Sequence, residues 1–227
     1  MKPSKLLVIC ILSTGCLTTG AAQEQVLANT RQVEQLSKLH LAVEKLDTAE
    51  NLNTLAELAT EFNRLRQQDQ ENWLPYYYEA YTYLKLALRT PNLQEVDPLC
   101  DKANAVLEAL NQTFSKNTEA MCLQALERSS RIRVNMMGRG PMYSVTSNKL
   151  LEMALEMDPG NPRAQLLKGQ NVFYMPSVFG GGKENAKKYF EKAIEAFGNV
   201  KDRNFELPHW GYESAVVMLE KCRDSNP

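Results

Sequence analysis

The stretch Gln165-Leu-Leu-Lys-Gly169 places a glycine inside a run that otherwise has the composition of a helix. Glycine in a helix interior costs about 1 kcal/mol relative to alanine, so a glycine at such a position needs a physical reason. The close approach of a second helix is one such reason, because a larger side chain at Gly169 would push the two helices apart. The stretch therefore predicts a tightly packed pair of helices.

Small residues recur at the corresponding point of other predicted helices. Ala80, Ala125, Gly169 and Ser214 follow one another at intervals of 44 or 45 residues. Similarity at a fixed interval is the sequence signature of repeat architectures, in which each unit buries its apolar face against the next. We therefore expect four related units, one around each of these residues.

Apolar residues recur at three- and four-residue intervals along the chain, which is the spacing of one helix face. The predicted helices cover residues 33–46, 52–65, 73–89, 99–115, 118–136, 145–157, 163–174, 184–197 and 209–222. Glycine and proline lie between them, at Pro91, Pro98, Gly138-Arg-Gly-Pro141, Pro159-Gly-Asn-Pro162, 180–182 and Pro208, and predict the breaks. Since no run of alternating β-branched residues is long enough for a sheet, the predicted fold class is all-α.

These units resemble the tetratricopeptide repeat. The matching residues are Gly169, Ala186, Phe190 and Ala193 in one unit, Ala154 and Pro159 in the unit before it, and Ala80 and Ala103 in an earlier one. The resemblance covers residues 50–224 and implies antiparallel helix pairs in a solenoid with a C-terminal capping helix. The units recur every 44 or 45 residues, which is longer than the family length of about 34 residues. Lys168 stands where the family prefers leucine.

The first 22 residues have the pattern of a secretory signal peptide: two lysines, the apolar run Leu6–Leu12, and small residues up to Ala22. The apolar run is too short for a membrane span. Cleavage near Ala22 would release an exported protein, periplasmic or secreted from a bacterium. An alternative is a lipobox ending at Cys16, whose lipidation would anchor the chain. The predicted domains are the signal peptide 1–22, an N-terminal helix 23–48 and the repeat domain 49–227.

Composition and cysteine usage exclude several kinds of site. A net charge of −1 lacks the basic excess of a nucleic-acid-binding domain. Cys100, Cys122 and Cys222 remain after the leader, and we expect three buried thiols, with a Cys100–Cys122 disulfide as the alternative. His40 and His209 are far apart, and no Cys/His cluster occurs. The sequence predicts no metal site, no cofactor and no catalytic constellation, and hence a non-enzyme.

Three further features could be taken for sites. We interpret Gly180-Gly-Gly-Lys183 as a turn between helices rather than a phosphate loop, because Glu184 stands where a phosphate loop has Ser or Thr. Arg128, Arg131, Arg133 and Arg139 do not share one helix stripe, so a solvated face is favoured over an anion site. Trp73 and the tyrosines of 76–83 surround one helix, which leaves some aromatic rings outside the core.

The repeat resemblance implies that Tyr77 and Tyr81 lie on the concave surface of the array, with Gln170 and Tyr174 at the same repeat positions further along. Exposed aromatic and polar groups of this kind are typical of peptide grooves. We expect an exported, non-enzymatic scaffold that binds a peptide or protein partner in the cell envelope through these four residues. The alternative is a periplasmic small-molecule binding or transport-accessory protein with a pocket near residues 180–183.

Overall fold

The computed structural model describes residues 15–199 and 207–224, and these residues are helical with no strand among them. The helices are α1 (Gly15–Thr48), α2 (Leu52–Gln68), α3 (Trp73–Arg89), α4 (Val96–Thr113), α5 (Thr118–Arg131), α6 (Met136–Met157), α7 (Pro162–Tyr174), α8 (Lys183–Asn199) and α9 (Tyr212–Arg223). Short 3-10 turns follow α3, α5 and α7. The all-α prediction is confirmed.

The chain divides into two compact units, residues 1–38 and residues 39–227, so the division falls within α1. In the first unit Val33 and Leu36 are exposed, contrary to the predicted apolar face. In the second unit Leu39, Val43 and Leu46 are buried, as expected. The predicted signal peptide falls largely on residues 1–14, outside the described residues. The leader and the domain boundaries stay predictions.

Consecutive helices of the second unit pack in pairs. α3 lies against α4, α5 against α6, and α7 against α8. The first helices of successive pairs also contact one another, α3 with α5, α5 with α7, and α7 with α9. This arrangement of neighbouring pairs is that of a helical-repeat array, and α9 ends it as a helix without a second member among the described residues.

The small residues lie where helices approach most closely. Ala80 and Ala125 are fully buried, and a Cβ added to Gly169 would lie 2.6 Å from Cε1 of Phe190 on α8. The close approach predicted from Gly169 is therefore confirmed. In α9 the predicted position is wrong by one residue, since Ser214 is exposed and Ala215 is buried instead.

The predicted break at 138–141 is wrong, because α6 runs through Gly138, Gly140 and Pro141. The helix begins after Asn135, whose side chain accepts a hydrogen bond from the backbone N–H of Gly138. Proline in the second turn removes one helical hydrogen bond, and the Asn135 cap satisfies a different group, the Gly138 N–H at the helix start. Asn135 is the residue that indicates the start of α6 in the sequence, but the glycines and the proline that follow it favour the prediction of a break.

Cys100, Cys122 and Cys222 are free and buried, so the expected thiols are confirmed and the alternative disulfide is wrong. Cys122 Sγ lies 3.7 Å from Oδ1 of Asn161. Across the described ranges, no helix has both the length and the apolar character that crossing a membrane requires.

A candidate ligand-binding cleft

A cleft of about 750 Å³ opens in the second unit, beside the entry to α9. Its volume is that of a small-molecule or cofactor site, in the range of about 300–1,000 Å³. The end of α1, the middle of α3, the start of α7 and the end of α8 each contribute side chains, together with residues 207–214. The lining side chains that bear on binding are Asp47, Tyr81, Lys85, Arg163, Phe197, His209, Trp210, Tyr212 and Glu213.

Aromatic rings form two parts of this lining. Tyr81 and Trp210 are stacked, with ring centroids 4.7 Å apart and ring planes 12° from parallel. Phe197 and Tyr212 meet edge to face at 6.1 Å. Such pairs provide large, rigid apolar surface, so the cleft can accept a flat apolar ligand along its aromatic side.

Gly211 allows Trp210 to lie so close to the end of α8. Its φ is +115°, a backbone conformation that L side chains rarely adopt, and an added Cβ would come within 2.8 Å of the Phe197 ring. Only glycine satisfies both conditions without strain. The sequence Trp210-Gly211 thus brings the chain out of the cleft wall directly into α9.

Two cationic side chains face the same cleft. Arg163 is 5% exposed, and its Cζ lies 5.7 Å from the Phe197 ring. Lys85 Nζ lies 5.8 Å from the Tyr81 ring and donates to the carbonyl of Leu46 at 2.7 Å. Burial lowers the pKa of Lys85. Arg163 is paired with the Glu119 carboxylate at 2.5 Å, so Lys85 is the cation that an anionic group on a ligand could approach.

His209 joins the cleft wall to the end of α1. Its Nε2 lies 2.6 Å from Oδ2 of Asp47, and this hydrogen bond raises the pKa of the imidazole above its usual value. Burial, reinforced by the Asp47 carboxylate, raises the pKa of the Tyr81 phenol. The Tyr81 hydroxyl therefore stays neutral at physiological pH.

The structure places the four predicted site residues in different surroundings. Tyr77 is fully buried, and its hydroxyl accepts a hydrogen bond from Trp210 Nε1 at 2.8 Å. Its expected exposure is wrong, because the Trp73, Tyr78 and Tyr81 rings surround it. Tyr81 lines the cleft, whereas Gln170 and Tyr174 do not. Partner binding at the four positions stays a prediction.

Sequence reasoning missed most of the cleft. Trp210, Arg163 and Lys85 belong to no motif in the sequence, and His209 stands out there only as a histidine far from His40. The one available signal was the aromatic-glycine pair Trp210-Gly211 at a helix start. The other lining residues come together only through the packing of α1, α3 and α7.

The remaining sequence features have structural roles. Gly180 and Gly182 have φ of +82° and +99°, and a Cβ on Gly181 would clash with the Met175 carbonyl, so the interpretation as a tight turn is supported. Arg131 contacts Asp97, Asp101 and Glu127. The arginine cluster is thus largely occupied within the protein rather than solvated. Among the described residues, no group of three or more His, Cys, Asp or Glu side chains is placed to hold a metal ion.

Comparison with known proteins gives an informative similarity to a solved structure. The HusA haemophore from Porphyromonas gingivalis is 30% identical, with a TM-score of 0.75, over 86% of this chain and 94% of the haemophore. A thermophilic TPR protein of Thermus thermophilus is 14% identical with a TM-score of 0.41, over 81% of this chain and 99% of that protein, a likeness too low to support an inference. No family model and no curated protein matches the sequence.

Proposed function

We infer, since this chain belongs to the family of the HusA haemophore, that it is a non-enzymatic carrier that binds haem in the cleft beside Trp210. The observation that carries this proposal is the stacked pair of Tyr81 and Trp210 in the wall of a 750 Å³ cleft. Haem is a flat, apolar macrocycle, and flat aromatic walls give such a ligand extensive contact.

The polar part of the cleft supports the same ligand. Haem carries carboxylate side chains at one edge of its ring. Lys85 lies on the lining beside the Tyr81 ring, where a charge-assisted hydrogen bond to a carboxylate is strong, whereas Arg163 is already paired with the Glu119 carboxylate at 2.5 Å. A ligand that is apolar over its face and anionic at its edge therefore fits the two kinds of lining.

Iron coordination is not what supports the proposal. His209 Nε2 already bonds to Asp47 at 2.6 Å, so that nitrogen could reach an iron only if the pair separated. We assign retention of the ring to stacking and to the Lys85 ammonium, and no chemical step follows binding.

Titration with haem, followed by the change in its visible absorbance, tests this function. Tyr81→Leu removes one ring of the stacked pair while keeping an apolar side chain, and we expect affinity to fall by about two- to tenfold, since an aromatic pair contributes about 0.5–1.5 kcal/mol. The matched control is Tyr174→Leu, because Tyr174 is 72% exposed and lies outside the cleft. Equal affinities for the two variants would contradict the assignment of the cleft, and a wild-type protein that does not bind haem would contradict the function.

A second candidate function, docking of a protein partner, has its own observation. Tyr174, Val178 and Phe179 follow one another at the end of α7 and are 72%, 83% and 75% exposed. Exposed apolar groups of this kind mark interaction surfaces. Tyr174→Ala together with Phe179→Ala should abolish partner recovery from envelope extract and leave haem affinity unchanged. Export through the leader at residues 1–22 would place the protein where both functions are needed.

A further inference from the structure

One buried carboxylate, that of Glu119 on α5, bonds to three side chains from two separate parts of the chain. Asn161 Nδ2 donates to its Oε1 at 2.8 Å, and Arg163 Nε donates to its Oε2 at 2.5 Å. The Tyr77 hydroxyl donates to the same Oε2 at 3.4 Å. Because Glu119 is 8% exposed and its oxygens are bonded to α3 and the start of α7, its position is fixed by the fold.

Both of the groups that hold Trp210 also bond to Glu119. The Trp210 indole N–H donates to the Tyr77 hydroxyl at 2.8 Å. The Trp210 carbonyl accepts from Arg163 Nη1 at 3.4 Å. The side chain and the backbone of Trp210 are therefore held at two points, and each point leads to the same carboxylate.

Trp210 needs such support because it does not lie on a helix. It precedes α9, in a segment without regular secondary structure, so helical hydrogen bonds do not fix its backbone. Stacking on Tyr81 within 12° of parallel requires one orientation of the indole ring. Groups held by hydrogen bonds from a second layer of residues are what keeps a binding wall in a productive geometry.

We propose that Glu119, acting through Tyr77 and Arg163, is the positioning residue that orients Trp210 as the wall of the cleft and so sets the affinity for a flat anionic ligand. The statement about affinity rests on the proposed function, whereas the orientation of Trp210 does not. Glu119 itself contacts no ligand in this arrangement.

Two neighbouring tyrosines provide a matched test. Tyr77→Phe removes the hydroxyl that links Glu119 to Trp210. Tyr78→Phe removes a hydroxyl that is equally buried but has no hydrogen-bond partner within the described part of the chain. Both variants are made in a Trp73→Phe background, where Trp210 is the only tryptophan of the chain and its fluorescence reports its own surroundings.

In the ligand-free protein, we expect Tyr77→Phe to shift the Trp210 emission maximum and to lower its anisotropy. The affinity for haem should fall by about tenfold, the size expected when a buried donor loses its partner. Tyr78→Phe should change neither quantity. Arg163→Lys, which keeps the charge but loses the planar fork that reaches both Glu119 and the Trp210 carbonyl, should lower the anisotropy independently of Tyr77.

The two readouts separate the possible failures. If Trp210 emission and anisotropy are the same in the parent, Tyr77→Phe and Arg163→Lys proteins, the positioning role is overturned. If the variants change Trp210 fluorescence while the parent binds no haem, the positioning role stands and the proposed ligand is wrong. Loss of thermal stability without a change in Trp210 fluorescence would assign the network to folding alone and would also overturn the proposal.

Discussion

At the scale of single residues, Gly169 gives the sharpest prediction of stability. A Cβ at this position would lie 2.6 Å from the Phe190 ring, and Phe190 is itself fully buried in the core between α7 and α8. We expect Gly169→Ala to destabilise the protein by about 1–3 kcal/mol through overpacking, more than the helix propensity of alanine returns. Chemical denaturation measures this change.

Gly198 is the matched control for that substitution. It also lies in a helix, α8, but it is exposed and an added Cβ would have no atom within 4 Å. Gly198→Ala should stabilise the protein by up to about 1 kcal/mol, because only the propensity difference remains. Two changes of the same sign would contradict the packing explanation of Gly169.

The sequence predicts the surroundings of some residues correctly and those of others wrongly. Gly169 was predicted correctly because its explanation is local: a glycine within a helical pattern requires a close neighbour. The sequence predicts an exposed Tyr77, and this is wrong. Its helix carries aromatic rings on every side, and the sequence does not indicate which of these rings is buried in the fold. Trp210 is distant in the chain from both Tyr77 and Tyr81, so no spacing rule could connect them.

At the scale of helices, α7 begins with an asparagine that has two roles. Asn161 accepts a hydrogen bond from the backbone N–H of Ala164 at 2.9 Å, as a helix cap does. It also donates to Glu119 and is 2% exposed. Asn161→Asp would keep the cap but place a second carboxylate against Glu119, and we expect a loss of about 2 kcal/mol or more.

The helix α2 offers the comparison. Asn51 caps it in the same way, accepting from the backbone N–H of Thr54 at 2.8 Å, but Asn51 is exposed and its cap is not part of a buried network. Asn51→Asp should leave stability nearly unchanged, since aspartate and asparagine are similar caps and the helix dipole favours the negative charge. Thermal unfolding of both variants at neutral pH measures the difference, and equal losses would show that burial beside Glu119 is not the cause.

At the scale of the whole molecule, the fold and the site depended on different information. Periodic apolar residues and their breaks are local, so they predicted the position of most helices of the array within a few residues. The cleft collects side chains from α1, α3, α7 and α8, and no repeat position is shared among them. His209 and Asp47 illustrate the difference: they lie 162 residues apart in the chain, and only tertiary packing brings them within 2.6 Å.

This pair predicts a pH dependence of stability. The pKa of His209 is raised in the folded protein by its hydrogen bond to Asp47, from an ordinary value of 6.5. A raised pKa means that the folded state binds the proton more tightly than the unfolded state does. The stabilisation by the pair is therefore fully present below pH 6.5 and is lost as pH rises through the higher folded pKa.

His209→Gln removes the pair, so the stability difference between wild type and variant should be largest near pH 6 and should decline as pH rises through the raised folded pKa of His209. Both side chains are partly exposed, at 28% and 42%, and the difference should stay below about 1 kcal/mol. His40→Gln is the control, since His40 pairs with Glu44 within α1 and contributes about a few tenths of a kcal/mol as a local helical pair. A stability difference between wild type and His209→Gln that grew with pH would contradict this prediction, because it would require the folded state to favour the neutral imidazole.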